Sequence, residues 1–74
     1  SVELARKVYA ERHLRLAETL AARAQLALAE GRTADARRDL VEALAIREEK
    51  LGADNPLSLE TRAALAKLSA PVSQ

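Results

Sequence analysis

The chain has 74 residues, with 12 Lys and Arg against 11 Asp and Glu, and it lacks cysteine, Phe, Trp and Met. That length holds at most one small domain with a thin core. The near-neutral balance, net +1, excludes a basic footprint for nucleic acid or an anionic membrane, and the missing thiols exclude disulfides and thiolate metal sites. The apolar residues are almost all Ala and Leu, strong helix formers, and β-branched residues are few. No apolar run approaches a membrane span, and no signal-peptide layout opens the sequence. Lack of cysteine is compatible with any compartment and leans towards a reducing, cytoplasmic one. Ser1 in place of Met points to a piece of a longer protein.

Four helical segments are predicted, in an all-α fold. The first runs from about Val2 to about Tyr9, with Val2, Ala5 and Val8/Tyr9 on one face. The second runs from about Leu14 to Glu30, and its apolar stripe is Leu16, Leu20, Ala24, Ala27 and Leu28. Gly31 ends it, since glycine takes the left-handed cap conformation without steric cost. Thr33 is the expected cap of the third helix, with Asp35 in its first turn facing the positive end of the dipole. That helix runs to about Leu51, with Ala36, Leu40, Ala43, Leu44 and Ile46/Arg47 successively on or beside its buried side. Gly52 stops it. Asn55-Pro56 restarts the chain, with Asn as cap and Pro at the first helical position. The fourth helix, Pro56 to about Ser69, buries Leu57, Leu65 and Leu68 among alanines. Pro71 ends it ahead of a loose tail, residues 71–74.

The chain half-repeats itself at a spacing of 42 residues. Residues 10–26 slide onto 52–68 so that Glu18 meets Glu60, Thr19 meets Thr61, Ala21 and Ala22 meet Ala63 and Ala64, Ala24 meets Ala66 and Leu26 meets Leu68. Upstream, Leu4 meets Ile46 and Tyr9 meets Leu51. A period in this range is the mark of stacked helical units that bury their apolar faces on one another. The alignment places a turn at residues 10–13, over the 52–55 connector. Those residues contain no Gly or Pro, so the first two segments can also fuse into one rod of about 28 residues, ~42 Å long. The repeat favours the turn.

Around Gly31 the spacing resembles a tetratricopeptide (TPR) repeat. Leu20 lies eleven residues before the glycine and Ala24 seven before; Ala36, Leu40 and Ala43 lie five, nine and twelve after. Small residues there let paired helix axes approach to about 8–10 Å. Residues 42–56, EALAIREEKLGADNP, resemble the 42-residue variety found in kinesin light chains and many bacterial signalling proteins. Asn55 stands where that variety usually has His, and VYAERHL at 8–14 resembles a degenerate copy of the same connector. Ala21 and Ala22, and again Ala63 and Ala64, replace its paired asparagines, and Arg23 stands where Leu is expected. Arg23 is therefore expected to snorkel outwards or pair with an acid. The resemblance implies antiparallel hairpins stacked as a short right-handed α-solenoid. Residues 1–13 are then the tail of a preceding repeat and its connector, 14–51 one whole helix pair, and 52–70 a connector and the first helix of a third repeat.

In this family, partners lie along the concave surface made by the first helix of each pair. Carried over, the groove would be Glu18, Ala21, Ala22, Gln25, Leu28 and Ala29, then Glu60, Ala63, Ala64 and Lys67. No Lys/Asn constellation for clamping a peptide carboxylate is present, and the same residues also read as plain solvated scaffold. His13, the one histidine, has no companion ligands at matched spacing, so no metal or cofactor is expected. Glu11, Glu48 and Glu49 lack a pocket or nucleophile. Arg32, Arg37 and Arg38 are interleaved with Asp35, Asp39 and Glu42, which dilutes any phosphate site. The last helix lacks the second helix that normally covers its repeat, so its leucines are expected to self-associate or to meet the rest of a longer chain. The expected function is non-catalytic protein–protein interaction, binding a protein or peptide. The alternatives are a purely structural, oligomerising bundle and a regulatory repeat segment of a larger signalling enzyme or transcription regulator.

Overall fold

The computed structural model describes residues 2–69, and these are all-helical: α1 (Val2–Ala29), α2 (Thr33–Leu51) and α3 (Pro56–Ser69). None of the described helices is long and apolar enough to cross a membrane. The tail expected at 71–74 lies outside the described residues.

The turn expected at 10–13 does not form; α1 runs unbroken through it. The comparison with the true connector explains why. Gly52 leaves α2 at φ 96° and ψ 151°, a conformation that carries a steric penalty for any residue with a Cβ. Ala10 occupies the matching position and stays helical. Leu14, where α3 has Pro56, keeps the N–H that a continuing helix uses. Local contacts add to this. His13 Nδ1 lies 3.0 Å from the Tyr9 carbonyl one turn back, and the two rings are 4.2 Å apart. The division expected between residues 13 and 14 is thus not a break in the backbone.

The other boundaries follow their punctuation. Gly31 sits at φ 81° in a Schellman closure: its N–H donates to the Leu28 carbonyl (3.1 Å), and the Arg32 N–H donates to Ala27 (2.8 Å). Asn55 caps α3, its Oδ1 accepting from the Leu57 N–H at 2.9 Å, with Pro56 at the first helical position. Thr33 does not cap α2. It is already helical, the cap position belongs to Arg32, and no side-chain cap bond is made.

α2 runs back along α1. Ala17 and Leu20 pack with Ala43 and Ile46, and further along Ala24 and Ala27 pack with Ala36 and Leu40. The ascending numbers on one helix meet descending numbers on the other, so the pair is antiparallel. Four of these alanines, Ala17, Ala24, Ala36 and Ala43, are wholly buried, and their small side chains let the axes close up. The leucine expected in the α1 stripe at position 16 is 44% exposed; its neighbour Ala17 takes the buried place. Leu65 and Leu68 reach the Leu40 cluster together with Leu28 and Ala64, which joins α3 to both other helices. Leu57, expected in the core, is 44% exposed.

Two buried polar residues hold α3 to the end of α2. Ser58 Oγ donates to the Gly52 carbonyl (2.8 Å), and Thr61 Oγ1 accepts from Arg47 Nη1 (2.7 Å) while donating to the Leu57 carbonyl (2.7 Å). An exposed Arg62–Glu48 ion pair and an Arg37 bond to the Leu68 carbonyl (3.2 Å) continue the same antiparallel seam. The first two turns of α1 extend past this three-helix body, as far as Tyr9, whose ring lies 5.6 Å from Lys50 Nζ at the end of α2. The molecule measures 53 × 24 × 14 Å with a radius of gyration of 13.8 Å, above the roughly 11 Å of a compact chain of this length.

Candidate functional site

α1 and α3 both lie antiparallel to α2 and therefore run in the same direction. They come together at the Leu40 cluster, against which Leu28 packs from α1 and Ala64, Leu65 and Leu68 pack from α3. Above that contact is an open groove of about 410 Å³. Half-buried Leu28, Ala64 and Leu68 form its floor, and exposed Gln25, Glu60, Ala63 and Lys67 form its rim. Glu60 and Lys67 are seven residues apart on one helix, so the groove carries an acid towards one end and a base towards the other. An apolar floor with a few polar groups at the rim is the general makeup of ligand sites.

Of the residues expected to meet a partner, Gln25, Leu28, Glu60, Ala63, Ala64 and Lys67 are brought together here, whereas exposed Ala29 does not line the groove. Glu18 is not among them. It lines a second recess of about 370 Å³ nearer the 52–55 connector, between Glu11, Leu14 and Arg15 of α1, Arg47 and Leu51 of α2, and Leu57. Ala21 is half-buried and Ala22 exposed, and they line neither hollow. Ala22 lies too far round α1, its position pointing away from α3.

A larger recess, about 530 Å³, lies elsewhere, between Arg23, Arg32 and Arg38 and Asp35, Asp39 and Glu42. Its charges answer one another. Arg23 Nε is 3.5 Å from Asp39, and Arg32 pairs with Glu30 (2.6 Å) and Asp35 (3.3 Å). The hydrogen bond to Glu30, then its charge, raises the Arg32 pKa above its ordinary value. Arg23 thus takes both courses open to it, staying 68% exposed while pairing with an acid. With as many carboxylates as guanidiniums, the recess has no net charge to concentrate a phosphate. Arg37 of the same basic cluster is used against Leu68, pinning α2 to α3.

Two polar residues of structural weight, Ser58 and Thr61, were not evident as core residues from the sequence, which pointed to the leucines beside them; Arg47 was expected on the buried side with Ile46, but without its partner Thr61. Only the matching of Thr61 to Thr19 marked that position. Among the described residues, no group of three His, Cys, Asp or Glu side chains is placed to hold a metal ion. No protein-family model, curated protein or solved structure compared with the chain matches it.

Proposed function

We propose that this chain is a non-catalytic protein-interaction module of the TPR type, working in the cytoplasm, with the α1–α3 groove as its peptide-binding surface. The observation that carries the reading is the convergence of Gln25 and Leu28 with Glu60, Ala63, Ala64 and Lys67 across two helices that are far apart in sequence. The alanine-lined α1–α2 pair and the Gly52–Pro56 connector support the family reading. The straight α1 departs from it, so on this reading the repeat unit begins within a rod rather than after a turn. Binding would rest on contact with the apolar floor and on two opposed charges, which suits a short amphipathic peptide carrying a base near Glu60 and an acid near Lys67.

The test is panning of a phage-displayed peptide library against the chain, followed by calorimetric titration of the enriched synthetic peptides. Ala63→Arg, which fills the groove mouth on an exposed helix position, should abolish binding, and Lys67→Glu should reverse the charge preference at one end. Peptides that bind both variants as tightly as the parent, or a library that yields no groove-dependent binder, would overturn the proposal. Exposed Leu57 and Leu59, 44% and 48% accessible, favour a second contact surface at the start of α3, on which self-association would be read as a concentration-dependent mass that Leu59→Glu removes.

A further inference from the structure

The 42-residue correspondence identifies what ought to cover the outer side of α1. On α3, the side facing α2 is made by Ser58, Thr61, Ala64, Leu65 and Leu68, all buried or half-buried. Forty-two residues earlier these positions are Leu16, Thr19, Ala22, Arg23 and Leu26, and every one of them is exposed, the two leucines by 44% and 57%. The stretch of α2 that covers the start of α3 is 44–51, through the Arg47–Thr61 bond. Its counterpart is 2–9, the projecting arm of α1. In α3 the cover and the covered helix are joined by a turn. In α1 they are held end to end in one rod. Ala5 and Thr19, the counterparts of Arg47 and Thr61, are then ~21 Å apart along the axis, so the arm cannot fold onto its own helix.

We propose that the arm of one chain packs on residues 16–23 of a second copy, and reciprocally, so that two α1 rods form an antiparallel pair about a two-fold axis near Arg12 and His13. The stripe needed for this is continuous. Val2, Tyr9 and Leu16 are spaced by seven, and Ala5 and Thr19 lie between and beyond them on the same face. One such contact covers both arms at once and closes the assembly, as a two-fold interface must. It extends over residues 2–23, ~33 Å of helix. The face lies on the opposite side of α1 from Gln25 and Leu28, so it is independent of the groove. Arg12 sits in the middle of the stripe, where it meets Arg12 of the other copy. This repulsion keeps the pair weak and makes it tighten as salt rises.

The absence of native cysteine permits a clean test. Ala5→Cys and Thr19→Cys chains are mixed and oxidised. The expected product is a covalent heterodimer, which Ala5→Cys alone does not give, since a disulfide needs the two Cα atoms within about 7 Å. The doubly substituted chain should also oxidise to a dimer. If it closes instead into a crosslinked monomer, α1 bends at 10–13 in solution and the exchange is wrong; if no disulfide forms, it is equally wrong. Sedimentation equilibrium supplies readouts that misfolding does not imitate. Arg12→Leu should tighten the dimer about tenfold or more, and Leu16→Glu should leave a monomer of unchanged helicity. A parent chain that stays monomeric at millimolar concentration, or Arg12→Leu without effect, overturns the proposal. Ala63→Arg should not disturb the crosslink, so failure of the groove reading and failure of this one are distinguishable.

Discussion

Leu40→Ala removes the side chain on which all three helices converge. Leu40 is 2% exposed and shares its cluster with Ala24, Ala27 and Ala36, flanked by Leu28, Ala64, Leu65 and Leu68. Truncation deletes three carbons, worth about 2 kcal/mol of transfer energy at roughly 0.8 per methylene. The hole is lined by three helices whose spacing is set by alanines that cannot expand into it, so a cavity cost adds to give about 3–4 kcal/mol. A single thin core of this size supplies only ~3–5 kcal/mol in total, so the variant should stand near the edge of unfolding. Leu16→Ala is the matched control, with the same atoms removed from a site that is 44% exposed, and should cost under ~1 kcal/mol. Urea titration followed by circular dichroism at 222 nm, at a concentration where the chain is monomeric, measures both. With a slope of about 1 kcal/mol/M, the Leu40 variant should lose about 3 M in midpoint and the Leu16 variant less than 1 M. Equal losses would refute the placement of Leu40 at the junction and of Leu16 outside it.

Gly52→Ala meets no atom within 4 Å of the added Cβ, so its cost, about 1–3 kcal/mol, comes wholly from the backbone at φ 96°; a melting temperature equal to the parent's would show that the connector has another shape. Asn55→Ala should lose about 1 kcal/mol with its bond to the Leu57 N–H, whereas Thr33→Ala should stay within about 0.5 kcal/mol because Thr33 makes no cap bond; chemical denaturation orders the two. Thr61→Val keeps the shape but takes the acceptor from the buried Arg47 guanidinium, at about 1.5–3 kcal/mol. A double-mutant cycle with Arg47→Met should show that the two losses are not additive, and additivity would mean that the bond is not formed in solution.

Much of the helical layout was legible because its signals are local. Gly31, Gly52 and Asn55-Pro56 act through their own φ angles, missing N–H and cap oxygen, and each ends or starts a helix where its chemistry requires. The alanines at 24, 36 and 43 were legible for a related reason: only small residues at that spacing let two helices close up. The 42-residue correspondence places a turn at 10–13, but local chemistry overrides it. Ala10 and Leu14 lack what Gly52 and Pro56 supply, and the helix ran on.

The groove was half legible. The family resemblance implied Gln25, Leu28, Glu60, Ala63 and Lys67 as groove residues on two helices, but not the distance between those helices. That distance depends on where α3 settles against α2, which is decided by the Arg47–Thr61 and Ser58–Gly52 bonds and by Leu65 and Leu68 seeking the Leu40 cluster. Glu18 fell outside the groove because it lies further along α1, beside the 52–55 connector, and Ala22 because helical phase turns it away from α3. Residue chemistry alone determined where this chain is helical and which small residues pair. Packing decided which leucines are covered, because burial is a property of the neighbours a side chain finds and not of the side chain itself.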